Sequence, residues 1–145
     1  MNWYKHSGEK KEVTVFSAEL KLHDGFYYLD IPQSFITGLW KMMKPNADET
    51  PYKQKSYGGM GAHVSVISEE EFEEKTKIKE VGERFDFTLI GAKEVNPASW
   101  DEMKMVYFLE IDSPQLKELR QKYGLPKTYK AMGYDFHITF ALEKK

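Results

Sequence analysis

Apolar and polar positions follow one order twice along the chain. Phe26-Tyr27-Tyr28-Leu29-Asp30-Ile31 is aromatic and β-prone, and it leads into Pro32-Gln33-Ser34, a helix start with proline early. Phe35, Leu39, Trp40 and Met43 then keep a helical spacing. Eighty positions after Leu29, Leu109 lies within Val106-Tyr107-Phe108-Leu109-Glu110-Ile111. That strand leads into Asp112-Ser113-Pro114-Gln115 and a second helix carrying Leu116, Leu119, Arg120 and Tyr123, which stops at Gly124. Each unit is followed by a loop rich in Lys, Tyr and Gly and then by another short β-prone string, beginning at His63 and at His137. Ile31 to His63 spans 32 positions and Ile111 to His137 spans 26, a difference that loops absorb.

The other segments carry shorter patterns. Lys11 to Leu20 alternates in part (Val13, Val15, Ala18, Leu20) and reads as a strand, with residues 1–10 as a loose charged arm. Residues 43–61, rich in Lys, Pro, Asn and Gly, read as a mobile lip before the first histidine string. Ser68-Glu69-Glu70-Glu71 resembles an N-capped helix start with acids in its first turn, predicting a short helix to about Lys75. Arg84 to Lys93 alternates, with Phe85, Phe87, Leu89 and Gly91 on one face, and Asn96-Pro97 ends it. The whole predicts one α+β domain over residues 1–145: a duplicated, bilobal fold with lobes at about 26–67 and 106–142. A pseudo-twofold axis between them would set antiparallel sheets facing across a central groove.

Composition narrows the function. The chain has 145 residues, 41% hydrophobic and 30% charged, enough for one compact core. Its net charge of -2 argues against stable binding to duplex nucleic acid and suits a small nucleotide or oligonucleotide partner. It has no cysteine, which excludes disulfides, thiolate nucleophiles and cysteine zinc sites. The charged first twenty residues have no apolar h-region and no run approaches a membrane span, so the expected location is cytoplasmic. Oligomeric state is not legible.

Candidate chemistry lies in the repeated strings His63-Val64-Ser65-Val66 and His137-Ile138-Thr139-Phe140. In an extended strand, side chains two apart share a face, so each string places one imidazole beside one hydroxyl and sends its apolar residues the other way. A single strand histidine is usually structural; two with matching hydroxyls describe a site. General acid/base chemistry requires one group to take a proton and another to give one. Imidazoles with an ordinary pKa of about 6.5 serve both tasks. Hydroxyl donors beside them can steady negative charge that builds in a reaction. No metal is needed, and His-x-x-x-His spacing, a phosphate-cradling Gly-x-x-x-x-Gly-Lys loop and a Gly-x-Gly-x-x-Gly turn are all absent, so no cofactor is expected.

The two motifs and the repeat around them, from about Phe26 to Leu142, resemble the 2H phosphoesterases, named for paired His-x-Thr/Ser-hydrophobic motifs in a duplicated α+β fold. The resemblance implies metal-independent action on a nucleotide phosphodiester, with His63 and His137 as the catalytic pair and Ser65 and Thr139 holding the phosphate. Which histidine is base and which acid stays open. Ser65 stands where threonine is commoner, which keeps the hydroxyl donor. Family members often continue beyond the second motif, whereas six residues follow Thr139, so an earlier strand near Val13 is expected to supply the equivalent.

Weaker candidates surround these motifs. Tyr57 in the lip and Tyr129, Lys130 and Tyr134 before the second motif are candidate substrate-binding residues, rings stacking on bases and an ammonium approaching phosphate. Lys53, Lys55 and Lys127 would add to that field. Trp40 reads as helix core, His23 as a turn residue and His6 as part of the arm. The expected substrate is a cyclic oligonucleotide signal, a 2'-5' oligoadenylate or a 2',3'-cyclic phosphate. The alternatives are processing of longer RNA ends or non-catalytic nucleotide binding.

Overall fold

The computed structural model describes residues 4–6, 11–43, 61–68, 71, 78–96, 101–129 and 135–144. Strands β1 (Tyr4–His6) and β2 (Lys11–Val13) pair as an antiparallel ribbon, so the segment expected to be a loose arm holds a strand. The predicted strand from Lys11 to Leu20 is divided: β2 ends at Val13, and β3 runs over Phe16–His23. Val15 lies in the break, 58% exposed, while Ala18 and Leu20 keep the buried alternation beyond it.

The rest of the fold comprises β4 (Phe26–Asp30), helix α1 (Gln33–Met43), β5 (His63–Ile67), β6 (Arg84–Val95), β7 (Met103–Asp112), helix α2 (Pro114–Lys122) and β8 (His137–Lys144). β3 and β4 join through Asp24-Gly25, whose φ values of 47° and 80° are the two positive angles that match a two-residue hairpin to strand twist. In α2, the Ser113 hydroxyl accepts from the Leu116 N–H at 3.2 Å and donates to the Asp86 carbonyl at 2.6 Å, while Gln115 accepts from the Asp86 N–H at 2.7 Å. The sequence signal at Asp112-Ser113-Pro114 thus caps the helix and stitches its first turn to β6.

Two sheets facing across a groove were expected; six antiparallel strands instead close into one barrel, in the order β3-β4-β5-β8-β7-β6. Closure has two causes. The twelve-residue β6 pairs with β3 through Arg84–Phe87 and with β7 beyond Thr88, tying both halves together. Between β5 and β8 the register contains one pair among the described residues, Val64 with Ile138. A bulge between Leu89 and Gly91 shifts the β6 alternation, which is why Gly91 does not continue the Phe85–Phe87 face as its spacing predicted.

One buried row crosses five strands by direct pairing: Leu20, Leu29, Val64, Ile138 and Leu109, each at most 5% exposed. These residues share a core with Ile36 and Leu39 of α1 and Leu116 and Leu119 of α2, and Trp40 packs against it as its spacing indicated. Full burial of each aliphatic side chain stabilises by about 1.5–3 kcal/mol, so this face fixes the register of the whole sheet. A smaller core of Met103, Val106, Phe108 and Leu142 fills the far end of β7 and β8. The predicted lip at 44–60 and all but Ser68 and Glu71 of the predicted helix at 68–75 lie outside the described residues. At that site Glu71 Oε1 accepts from the Ser68 N–H at 3.0 Å, half of a capping box.

Candidate active site

Val64 and Ile138 point into the core, so their neighbours His63, Ser65, His137 and Thr139 lie on the opposite face, all four half-buried. Antiparallel pairing about Val64 and Ile138 sets His63 across from Thr139 and Ser65 across from His137. Each imidazole therefore has one hydroxyl on its own strand and another on the neighbouring strand.

The two histidines are held alike. His63 Nδ1 donates to the Gly61 carbonyl at 2.8 Å, and His137 Nδ1 donates to the Asp135 carbonyl at 2.8 Å. Since a carbonyl only accepts, each Nδ1 carries its hydrogen and each Nε2 is the ring nitrogen not tied up by that bond. The backbone supports match too: the Ile31 N–H donates to the Ala62 carbonyl, and the Ile111 N–H to the Phe136 carbonyl. Gly61 accepts this role at φ 64°, a left-handed conformation that glycine adopts freely.

Acids that the sequence reading passed over complete the frame. Asp30 is the register partner of His63, and Glu110 that of His137. Asp30 is ion-paired to Lys21 at 3.0 Å and Glu110 to Lys93 at 3.1 Å. Their signal was present in the chain, because Leu29-Asp30-Ile31 and Leu109-Glu110-Ile111 are the closest echo between the two units. Aromatic rings flank both imidazoles: Phe26 and Tyr28 each lie 5.9 Å from His63, and Phe108 lies 5.1 Å from His137.

Burial lowers the pKa of both histidines below 6.5 by disfavouring the charged ring. The carbonyl at each Nδ1 opposes this, as do Asp30 beside His63 and Glu110 beside His137. His63 is lowered further by positive charge on His137. Charge on His137 thus disfavours charge on His63.

Of the weaker candidates, Tyr129 packs partly buried against the main core, with the Arg120 guanidinium 5.7 Å from its ring centre. Arg120 is 1% exposed and makes hydrogen bonds to the carbonyls of Val66 (2.7 Å) and Pro126 (2.7 Å) and to both oxygens of Glu71 (3.0 and 2.6 Å). It joins the exit of the first histidine strand to the segment approaching the second. Burial raises the Glu71 pKa, but bonds from Arg120 and Ser68 outweigh that and leave it lowered. Tyr57, Lys130 and Tyr134 lie outside the described residues. Among the described residues, no cluster of three or more His, Asp or Glu is arranged to hold a metal ion, and no helix is long and apolar enough to cross a membrane.

The family model for the Swiss Army Knife 2H phosphoesterase domain (2H-SAK) matches residues 27–145. No curated protein and no solved structure matches the chain. The matched region begins within β4 and takes in both histidine strands with the acids, carbonyls and hydroxyls arrayed around them. The chain belongs to the 2H phosphoesterases, a family whose function is of the phosphodiesterase type.

Proposed function

We propose that the protein hydrolyses a small nucleotide phosphodiester, a cyclic oligonucleotide, a 2'-5' oligoadenylate or a 2',3'-cyclic phosphate, by two-histidine general acid/base catalysis. The observation that carries this reading is the matched anchoring of both Nδ1 atoms on main-chain carbonyls, which leaves two Nε2 atoms for the substrate. One neutral imidazole takes a proton from the attacking water as its oxygen bonds to phosphorus. The protonated partner gives its proton to the leaving oxygen as the old phosphorus–oxygen bond breaks. One water is consumed, and the pair returns to its starting charge after proton exchange. Ser65 and Thr139 donate to the non-bridging oxygens, where charge accumulates. A net charge of -2 favours a short ligand over an extended polyanion.

The test is mass spectrometry of products from pooled cyclic di- and trinucleotides, 2',3'-cyclic mononucleotides and 2'-5' oligoadenylate, incubated with protein in excess EDTA. Cleavage by wild type and none by the His63→Ala/His137→Ala protein is the expected result. An intact pool with wild type, or equal cleavage by both proteins, overturns the reading.

A further inference from the structure

The eighty-residue echo allows the same two positions to be compared in both halves. Val106 and Phe108 of β7 are 1% and 0% exposed and close the smaller core with Met103 and Leu142. Their counterparts on β4, Phe26 and Tyr28, are half-buried. Two apart on one strand, they share a face, with ring centres 5.9 Å apart and planes within 17°. Tyr28 pairs in register with Ser65 and Lys21, on the face that carries the candidate active site. Among the described residues, no hydrogen bond reaches the Tyr28 hydroxyl. The imidazole of His63 stands nearly perpendicular to both rings, at 86° and 78°.

Partly exposed parallel rings beside a phosphate-handling imidazole offer an apolar surface that the other half spends on its core. Building on the proposed function, we infer that Phe26 and Tyr28 form a nucleobase platform: one purine or pyrimidine of the substrate stacks on these rings, placing its nucleoside on the His63 side of the scissile phosphate. Base–aromatic stacking tolerates any base, because each has a π face, so the platform confers affinity for nucleosides without choosing strongly among them. The Tyr28 hydroxyl remains for a polar contact with sugar or base. Burial and the nearby Asp30 raise the phenol pKa, so that group stays a donor at neutral pH. The platform makes an otherwise matched site directional.

The experiment follows the fluorescence of 2-aminopurine riboside 3'-monophosphate, which is quenched on stacking, during titration with the whole protein. Wild type should quench it, Tyr28→Phe should quench it equally, and Tyr28→Leu should lose most of the quench with about tenfold weaker binding. Phe26→Leu/Tyr28→Leu should abolish it, with melting temperatures recorded for every variant. If the double variant does not fold, Tyr28→Leu alone carries the comparison. Unchanged quenching and affinity in the leucine variants, or no quenching by wild type, overturns the platform. The two readings fail separately: wild type that quenches but cleaves nothing sinks the hydrolytic reading, and wild type that cleaves while its leucine variants bind unchanged sinks the platform.

Discussion

The half of the molecule built around His63 and the half built around His137 agree in some places and part in others. Both have an imidazole anchored through Nδ1 on the carbonyl two residues earlier, an acid in register across the strand pair, and a lysine bound to that acid. They part at Tyr28 against Phe108, and at Trp40 against Arg120 one helix further on, where the first packs against the core and the second is a buried charge. What agrees is what frames the two imidazoles. What differs is how far the flanking rings are exposed and how the halves are fastened together. The comparison shows that one local frame can be kept for chemistry while its surroundings diverge.

The largest way to break the symmetry is to remove one imidazole. His63→Ala and His137→Ala should each lower kcat by about 10²- to 10⁴-fold, and the double variant should fall little further, since the two act as a unit. Steady-state kinetics on the substrate found by mass spectrometry would show this, and independent, multiplying losses would contradict it.

Arg120 fastens the halves and has no counterpart at Trp40. Arg120→Ala should cost about 3 kcal/mol in denaturant unfolding, because the Glu71 carboxylate, the buried Val66 carbonyl and the Pro126 carbonyl lose their partner. Glu71→Leu/Arg120→Met should recover much of that. A loss below about 1 kcal/mol for Arg120→Ala would show that the joint is dispensable.

The hydroxyls give a finer comparison. Ser65→Ala and Thr139→Val should each lower kcat by about 10²-fold, close to the loss of one donor to a developing oxyanion. Ser65→Thr, which makes the two motifs alike, should keep most activity. A tenfold or greater loss in Ser65→Thr would mean that the halves are not interchangeable even here.

The smallest effects are those of pH. Both histidines are lowered from 6.5, so the bell-shaped profile of kcat/KM should be centred on the acid side of that value. Stability has a definite sign. Below about 6.5 the unfolded chain takes up protons that the folded rings resist, so melting temperature should decline as pH falls from 7 toward 5. His63→Gln/His137→Gln should flatten that decline, and an unchanged slope would assign it to other groups.

Much of the local order was legible in the chain. Ser113-Pro114 marks a helix start by cap chemistry and the paired motifs a shared polar face, because each depends on residues near in sequence, whereas His23, expected in a turn, is the last residue of β3 with the turn just after it. Closure of the barrel was not legible, since it depends on a single strand, β6, pairing with different neighbours along its length and shifting register at a bulge. The charge of Arg120 on an apolar helix stripe gave no hint of Val66 or Pro126 as partners, which only the tertiary fold brings near. Asp30 and Glu110 were readable in principle, because each stands between the echoed leucine and isoleucine of its strand, yet they lie 33 and 27 positions before the histidines, and period alone does not say which strands will be neighbours.

The single Val64–Ile138 pair between β5 and β8 has a mechanical meaning. Each of the other five strand pairs in the barrel is laced over four residues or more, whereas among the described residues the two strands that carry the imidazoles pair at one point. Beneath that point lie the side chains of the main core. A methyl group added or removed at Val64 or Ile138, both fully buried, would change the packing directly beneath the one register pair that joins the two histidine strands.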